Sequence, residues 1–513
     1  MAQLKIGQYL FTRIKQLGVQ TVFGVPGDYE LVILDMVPDV GLTWRGNPNE
    51  LIAGYAADGY ARVNGVGAFV TTFGPGELSA YCAVAGQFAE YVPVIHIVGY
   101  PSTVAMKNKT IMHHSLGNGE FGMYHEMTKH ITVATTVLDD VNTAASEIDR
   151  VLNVYIGVPV DMGPKLIPSD TLQTRLITSL PLNDDAAESQ AVSKIISLLK
   201  SRKDPVIVVD GSAVRNNVIE ESTALIELLN IPYFITAMSK GGISERINGK
   251  FGGVYGGGAS VEEVRLAVEK SELVLFIGGC LSFYRGEFTE DLKPENLIDF
   301  QRFFVNIAGE KYNVSLKYSM GPYFKAGDFV IAETGTSSYG IPASPLTHTD
   351  GVRMYNQTIF GSIGYATGAA LGSFVAGKED GSIKRAILVT GEGSLQLTVQ
   401  TFSDLLRHGL NSTIFILNND GYTVERLIHG MEASYNKVPD WAYSKLCDAF
   451  GPSFPSRYYR VATGNELVKL LNDPTFNAAD CTQVVELFLD KHDAPLSVKL
   501  ATAAVEEFNK RNT

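Results

Sequence analysis

The stretch Gly391–Glu425, GEGSLQLTVQTFSDLLRHGLNSTIFILNNDGYTVE, decides the fold. The apolar run RAILVT (385–390) feeds Gly391-Glu392-Gly393-Ser394. A helical pattern of about 14 residues follows. A second apolar run, STIFILNN (412–419), then leads into Asn418-Asn419-Asp420-Gly421. This reads as strand, helix, strand, and in such a unit both strands are parallel and end at one sheet edge. Glu392 is therefore placed beside the Asn419–Gly421 turn. A carboxylate, an amide oxygen and a turn carbonyl converge next to a helix N-terminus. Hard oxygen donors of this kind suit Mg²⁺, and the helix N-terminus suits a diphosphate. Gly-Glu-Gly and Asn-Asp-Gly are also ordinary turn sequences. The metal reading rests on the spacing that brings both turns to one edge.

The same alternation runs through the chain, so the fold class is α/β with parallel sheets. In the first block TVFGVPG, GAFVTTFG, VIHIVGY and VYIGVPVD read as strands, with helices over residues 3–17 and ELIAGYAADGYARV. A polar linker, PSDTLQTRLITSLPLNDDAAES, ends it near residue 188. PVIVVDGSAV, IPYFITAM and LVLFIGGCLS give a second block, and FVIAETG to TQVVELFL a third. The length of 513 residues agrees with three domains at about 150 residues each. Blocks one and three resemble each other, with glycine-rich turns at the strand ends where open α/β sheets bind ligands.

Composition narrows the partners. The chain is 45% hydrophobic and 19% charged, with a net charge of −13. That acidity argues against nucleic acid and anionic membranes, and a polyphosphate ligand would need a metal to offset it. Cys82, Cys280, Cys447 and Cys481 are far apart and form no CxxC pair, which fits reduced thiols in a cytoplasmic protein. The N-terminal MAQLKIGQYLFTRIKQLGV is amphipathic rather than a signal peptide, and no apolar run reaches membrane-spanning length.

With Glu392 and Asn419 in place, the chain resembles the thiamine-diphosphate-dependent 2-oxoacid decarboxylases, most of all those of the fungal pyruvate decarboxylase kind. The pattern in that family is GDG, about 25 residues, then NN; here it is GEG, 24 residues, NN. TVFGVPGDYE, GNPNELIAGYAADGYAR, TTFGPGELSA, HHSLGNGEF, IAETGTSSYG, FGSIGYATGAALG and NNDGYTVERLIHG extend the likeness over nearly the whole chain. The resemblance implies an aminopyrimidine-binding domain (1–180), a Rossmann-like middle domain (189–318) and a diphosphate-binding domain (326–513). It also implies a homodimer or homotetramer with sites between subunits. Three departures stand out. Glu392 replaces the usual Asp, segments near 150 and 320 are shorter, and DGSAVRNN (210–217) lacks the family's regulatory cysteine.

Decarboxylating a 2-oxoacid leaves charge on an acyl carbon that no side chain can hold, so a cofactor must be the electron sink. By resemblance the cofactors are thiamine diphosphate and Mg²⁺, and the reaction runs through a C2 ylide and an enamine. Glu50 then matches the glutamate on the aminopyrimidine ring; by itself it could be a carboxylate at a helix start. Ile363 matches the apolar wedge that bends the cofactor, beside Ser362 and the Gly361 carbonyl. Thr336, Gly393, Ser394 and the run Asn419, Asp420, Gly421, Tyr422, Thr423, Val424 match further cofactor contacts. Glu392, Asn419 and Gly421 match metal ligands. Asp28, His113, His114 and Glu425 resemble the set that moves protons on the substrate side. A loop reading of SLGNGEF lets both histidines approach one cavity. The implied activity is lyase chemistry, pyruvate to acetaldehyde and CO₂, as in alcoholic fermentation. Phenylpyruvate or indolepyruvate decarboxylation and acetohydroxyacid-type carboligation are the alternatives.

Overall fold

The computed structural model describes residues 3–151, 155–174, 176, 183–216, 218–279, 292–301, 305–308, 310–312, 327–342 and 351–511. Its core is three α/β sheets. The first has the strand order Thr43–Gly46, Thr21–Gly24, Gly67–Thr72, Val94–Tyr100, Tyr155–Pro159, Thr135–Val137, every pair parallel. The last runs Val352–Tyr355, Asp328–Ala332, Arg385–Gly391, Ser412–Asn418, Thr482–Phe488, Ser456–Val461, again all parallel. Numbered within its own sheet, each follows the order 2-1-3-4-6-5. The likeness of blocks one and three is thus a shared topology.

The middle sheet differs. Phe251–Val254, Tyr233–Ile235, Val206–Val209, Val274–Ile277 and Leu297–Phe300 are parallel in the Rossmann-like order 3-2-1-4-5. Val305–Ile307 and Glu310–Tyr312 then extend it as antiparallel strands. The central strands, such as Val206–Val209, are buried, as a parallel sheet covered on both faces requires, while edge strands such as Phe251–Val254 are partly exposed.

Three expected elements change on inspection. Gln3–Lys5 is not helical: it pairs antiparallel with Leu166–Pro168, and the helix spans Ile6–Gln16. The single helix expected after Glu392 is two, Glu392–Thr398 and Thr401–Arg407. At the break, hydroxyls turn to backbone carbonyls: Thr398 Oγ1 donates to Gly364 O at 2.7 Å and Thr401 Oγ1 to Thr398 O at 2.8 Å. The polar linker also ends earlier than expected, because Asp184 accepts from Ala187 N at 2.8 Å and starts the helix Asp185–Ser201. The shortened segments near 150 and 320 reach into 152–154 and 313–326, outside the described residues.

The first and third sheets share one apolar core through a helix pair, Glu50–Asn64 against Tyr365–Glu379. Its contacts fix the direction. A Cβ on Gly372 would lie 1.7 Å from Ala56 O, one on Gly59 would lie 1.9 Å from Ala369 O, and Arg62 stacks over the Tyr365 ring at 5.4 Å. As one number rises the other falls, so the helices are antiparallel. Their small residues let the backbones touch. The buried Arg62 pairs with Asp58 at 2.6 Å and Glu90 at 3.2 Å. Glu90 also holds Arg215 of the middle unit and accepts from Ile359 N at 2.7 Å. One buried carboxylate therefore joins all three units, its charge matched by two guanidinium groups.

Candidate active site

The predicted residues gather in two places. The first surrounds the turn Thr72–Gly76, at the carboxyl end of the strand Gly67–Thr72. A Cβ on Gly27 would touch Thr72, one on Gly74 would lie 2.3 Å from His114 O, and one on Gly76 would lie 3.3 Å from Glu50 Oε1. Asp28, Glu50, His113 and His114 thus all border this turn. Asp28 lies in a turn and the two histidines in a loop, as the sequence suggested. His113 Nε2 is 2.9 Å from Asp28 Oδ2, and the ring of His113 stacks on Tyr29 at 5.0 Å. His114 reaches the same space from a left-handed backbone, φ 68°, with its ring 4.6 Å from that of His113. The ligating atoms of Asp28, His113 and His114 all lie within 4.8 Å of one another. Such a cluster can exchange protons along a short path.

The second place is the carboxyl edge of the third sheet, where the parallel strands Arg385–Gly391 and Ser412–Asn418 end together. Glu392 is buried there. Its Oε1 accepts from Gly421 N at 2.7 Å and Asn419 N at 3.3 Å. Burial pushes its carboxyl up, against the pull of those two N–H groups. Gly421, at φ 124°, is irreplaceable on steric grounds: a Cβ would lie 2.0 Å from Asn436 O.

Asn419 stands beside both. Its side-chain amide donates to the Glu392 carboxylate oxygens at 3.2 Å and to Gly421 O at 2.9 Å, and accepts from Thr423 Oγ1 at 2.6 Å. Turned over, the amide would present its oxygen beside the Glu392 carboxylate and the Gly421 carbonyl, three hard oxygens of the kind a divalent ion collects. The donor set therefore fits Mg²⁺.

Around this centre stand the other predicted positions. Thr336 opens the helix Thr336–Gly340, and Gly393 and Ser394 are buried in the first turn after Glu392. A Cβ on Gly393 would meet the Tyr422 ring at 2.7 Å. Thr423, Val424 and Glu425 begin the helix Thr423–Ile428, with Glu425 and Asp420 exposed and Val424 half-buried. Ser362 is fixed by Gln357, whose Oε1 accepts from Ser362 N at 2.8 Å and Oγ at 2.6 Å. Ile363 is 40% exposed at the tip of this loop.

Two supporting residues escaped the sequence reading. Gln357 carried no signal, because its partner lies five residues away in an irregular loop. Glu333 lies inside the quoted IAETG, at a carboxyl strand end like Glu392, so that position was its signal. It is fully buried and accepts from Thr334 N at 2.9 Å, Gly364 N at 3.2 Å and Ala366 N at 3.2 Å. Burial raises it to about 8 despite these bonds. It ties the Gly361–Gly364 loop to the sheet edge.

The two places do not meet within one chain. Glu50 starts one helix of the antiparallel pair and Ile363 precedes the start of the other. They are separated along the pair by roughly 14 residues, or about 20 Å.

Comparison with known proteins follows the same division. Residues 4–120 match the thiamine pyrophosphate enzyme N-terminal TPP binding domain, 192–317 the central domain and 336–479 the C-terminal TPP binding domain. Pyruvate decarboxylase isozyme 1 of Saccharomyces cerevisiae is 39% identical over 96% of this chain and 97% of its own length. The pyruvate decarboxylase of Aspergillus fumigatus is 38% identical over 98% and 97%. That of Kluyveromyces lactis is 38% identical over the whole of both, in an alignment of 568 positions, so the relative carries residues with no counterpart here. Three domain matches in order and full-length identity of this size leave one reading of the ancestry: the chain belongs to the thiamine pyrophosphate enzyme family.

Proposed function

We propose that this protein is a pyruvate decarboxylase, a lyase that uses thiamine diphosphate and Mg²⁺ to release CO₂ and acetaldehyde from pyruvate. The observation that carries it is the Asp28–His113–His114 cluster bordering the same turn as Glu50, in a chain whose full-length relatives bear that name. Thiamine diphosphate, when bound, supplies the nucleophilic carbon and the sink for the charge that CO₂ leaves behind. Glu392, Asn419 and the Gly421 carbonyl would hold the Mg²⁺. Thr336, Gly393, Ser394 and the run Asn419–Val424 receive the diphosphate end. Glu50 would hold a proton beside the pyrimidine ring, the Gly361 carbonyl would accept a hydrogen bond from the cofactor's amino group, and Ile363 would pack against it. Asp28, His113, His114 and Glu425 deliver and recover protons as aldehyde forms and leaves. Val424 borders the substrate.

Because the two halves of the site lie at opposite ends of an antiparallel helix pair, we infer that they are completed by a second chain, in a homodimer or a homotetramer built from dimers. We set the domain limits at 1–180, 189–318 and 326–513. We also assign the protein to the cytoplasm and to alcoholic fermentation. Supporting this, Cys82, Cys447 and Cys481 are free thiols, Cys280 lies outside the described residues, and no helix among the described residues is long and apolar enough to cross a membrane.

The test is a substrate panel of pyruvate, branched and aromatic 2-oxoacids, with thiamine diphosphate and Mg²⁺ present. Acetaldehyde from pyruvate is the expected main product. No release by cofactor-loaded protein, dominant acetolactate, or a strong preference for phenylpyruvate would overturn the assignment.

A further inference from the structure

A buried carboxyl that the proposed reaction leaves unused lies under the turn Thr72–Gly76. It is Glu77, fully buried in the first turn of the helix Pro75–Ala89. Its Oε1 accepts from Gly74 N at 2.9 Å. By itself this bond is half of an ordinary capping box. The second oxygen sets Glu77 apart. Oε2 accepts from the Tyr155 hydroxyl at 2.7 Å, and it shares the Tyr81 hydroxyl, 3.1 Å away, with Tyr124 O at 2.8 Å. Tyr155 belongs to the strand Tyr155–Pro159, so the carboxyl ties the turn to the first sheet as well as to its own helix. The donors that favour its ionised form are Gly74 N–H and the two hydroxyls, none of them a cation, and burial raises it to about 7.

The turn that Glu77 holds separates two groups of the proposed mechanism. Gly74, at φ 76°, backs directly on the His114 carbonyl, and Gly76 faces Glu50 Oε1. Only Pro75 stands between them, so a shift of the turn disturbs both sides together. A second path leads from the same carboxyl to the histidines. Tyr81 reaches Tyr124 O, and the Tyr124 hydroxyl donates to His114 O at 3.4 Å. These bonds run beside the buried cluster of Tyr29, Phe73, Tyr100, Phe121, Tyr124 and Tyr155. In such a setting a polar group left without its partner is costly.

We propose that Glu77 is a positioning residue for the reaction: it fixes the Gly74–Gly76 turn and, through it, the spacing of Glu50 and His114. The assignment rests on the decarboxylase reading, in which those two groups act on cofactor and substrate. The reach of the side chain matters rather than its charge. Glutamine has that reach. Its oxygen accepts from Gly74 N, and its amide nitrogen donates to the Tyr155 and Tyr81 hydroxyls, which have the Tyr100 hydroxyl and Tyr124 O as other acceptors, 2.6 and 2.8 Å away. Aspartate keeps the charge but lacks a methylene, so it cannot span Gly74 and both tyrosines without moving the turn.

The test uses the full-length holoenzyme, in steady-state turnover of pyruvate and in hydrogen–deuterium exchange of the loop 108–118. Glu77→Gln keeps kcat within about twofold. Glu77→Asp loses about ten- to a hundredfold in kcat, the effect of a misplacement of about 1 Å, with KM changed by less than about twofold. Exchange of the histidine loop quickens in Glu77→Asp and not in Glu77→Gln, while the unfolding midpoint reports that the fold is intact. Should Glu77→Asp fail to fold, Tyr81→Phe decides: it removes one donor and the tie to Tyr124, and lowers kcat by about threefold, a fraction of the same misplacement. The proposal is overturned by unchanged kcat in folded Glu77→Asp, by an equal loss in Glu77→Gln, or by a rise in KM at unchanged kcat. If the unmodified holoenzyme releases no acetaldehyde, the decarboxylase reading falls and the exchange measurement still decides, since a histidine loop no looser in Glu77→Asp overturns the positioning role.

Discussion

At the scale of single residues, the proposed metal centre turns on the length of one side chain. Glu392 uses Oε1 on two backbone N–H groups and leaves Oε2 beside the Asn419 side-chain amide. Glu392→Gln keeps the shape but loses the charge, and its amide would face N–H groups or the cation. Mg²⁺-dependent binding of thiamine diphosphate, read by titration calorimetry, is expected to fall by at least about tenfold, with the unfolding midpoint of the cofactor-free protein little changed. Glu333 gives a pH signature instead. Its folded value is raised to about 8 from an ordinary 4.5, so the folded state holds a proton that the unfolded state releases. Its stabilising effect is complete below about pH 4.5 and is lost as pH rises through about 8. Glu333→Gln should therefore flatten the decline of unfolding free energy between pH 5 and 8, by an amount on the order of a few kcal/mol. An unchanged slope would show that Glu333 does not titrate in that range. The sequence made Glu392 and Asn419 legible because each ends a strand in a parallel pair. It hid Gln357, whose role exists only once its loop is folded.

At the scale of elements, the helix pair has the tightest fit. Gly59→Ala would push a methyl group against the Ala369 carbonyl, 1.9 Å from the ideal Cβ position. The helices must part, and unfolding is expected to be easier by about 1–3 kcal/mol or more. Gly464→Ala is the control. It opens the helix Gly464–Leu471 with nothing within 4 Å of a new Cβ, and its effect should be neutral or slightly stabilising. A comparable loss in both variants would refute the packing account. The strands were largely readable, since an apolar run bounded by glycine carries its own evidence. What could not be read was tertiary: the pairing of Gln3–Lys5 with Leu166–Pro168 and the break at Val399, which depends on Thr398 reaching Gly364 from another segment.

At the scale of the whole molecule, the two groups of proposed site residues lie at opposite ends of the antiparallel helices. Chains carrying Glu50→Gln and chains carrying Glu392→Gln would each be nearly inactive. Mixed and reassembled in equal amounts, they should recover up to about a quarter of the normal activity, because half of the mixed dimers' sites are intact in both parts. No recovery after confirmed exchange of subunits would mean that each chain completes its own site. The doubled 2-1-3-4-6-5 order was foreshadowed by the likeness of the first and third blocks. The antiparallel extension of the middle sheet was not, because Val305–Ile307 and Glu310–Tyr312 are too short to announce their direction.

The antiparallel helix pair has a consequence for how activity appears in time. If a second chain completes the site, as proposed, a chain just released from synthesis would fold its core and still turn over nothing. Its first catalytic event would wait for an encounter with another chain. Activity should therefore rise with the square of chain concentration when expression is low, and lag behind folding with second-order kinetics. A cell making this protein sparingly would hold a folded reserve that becomes an enzyme only through accumulation.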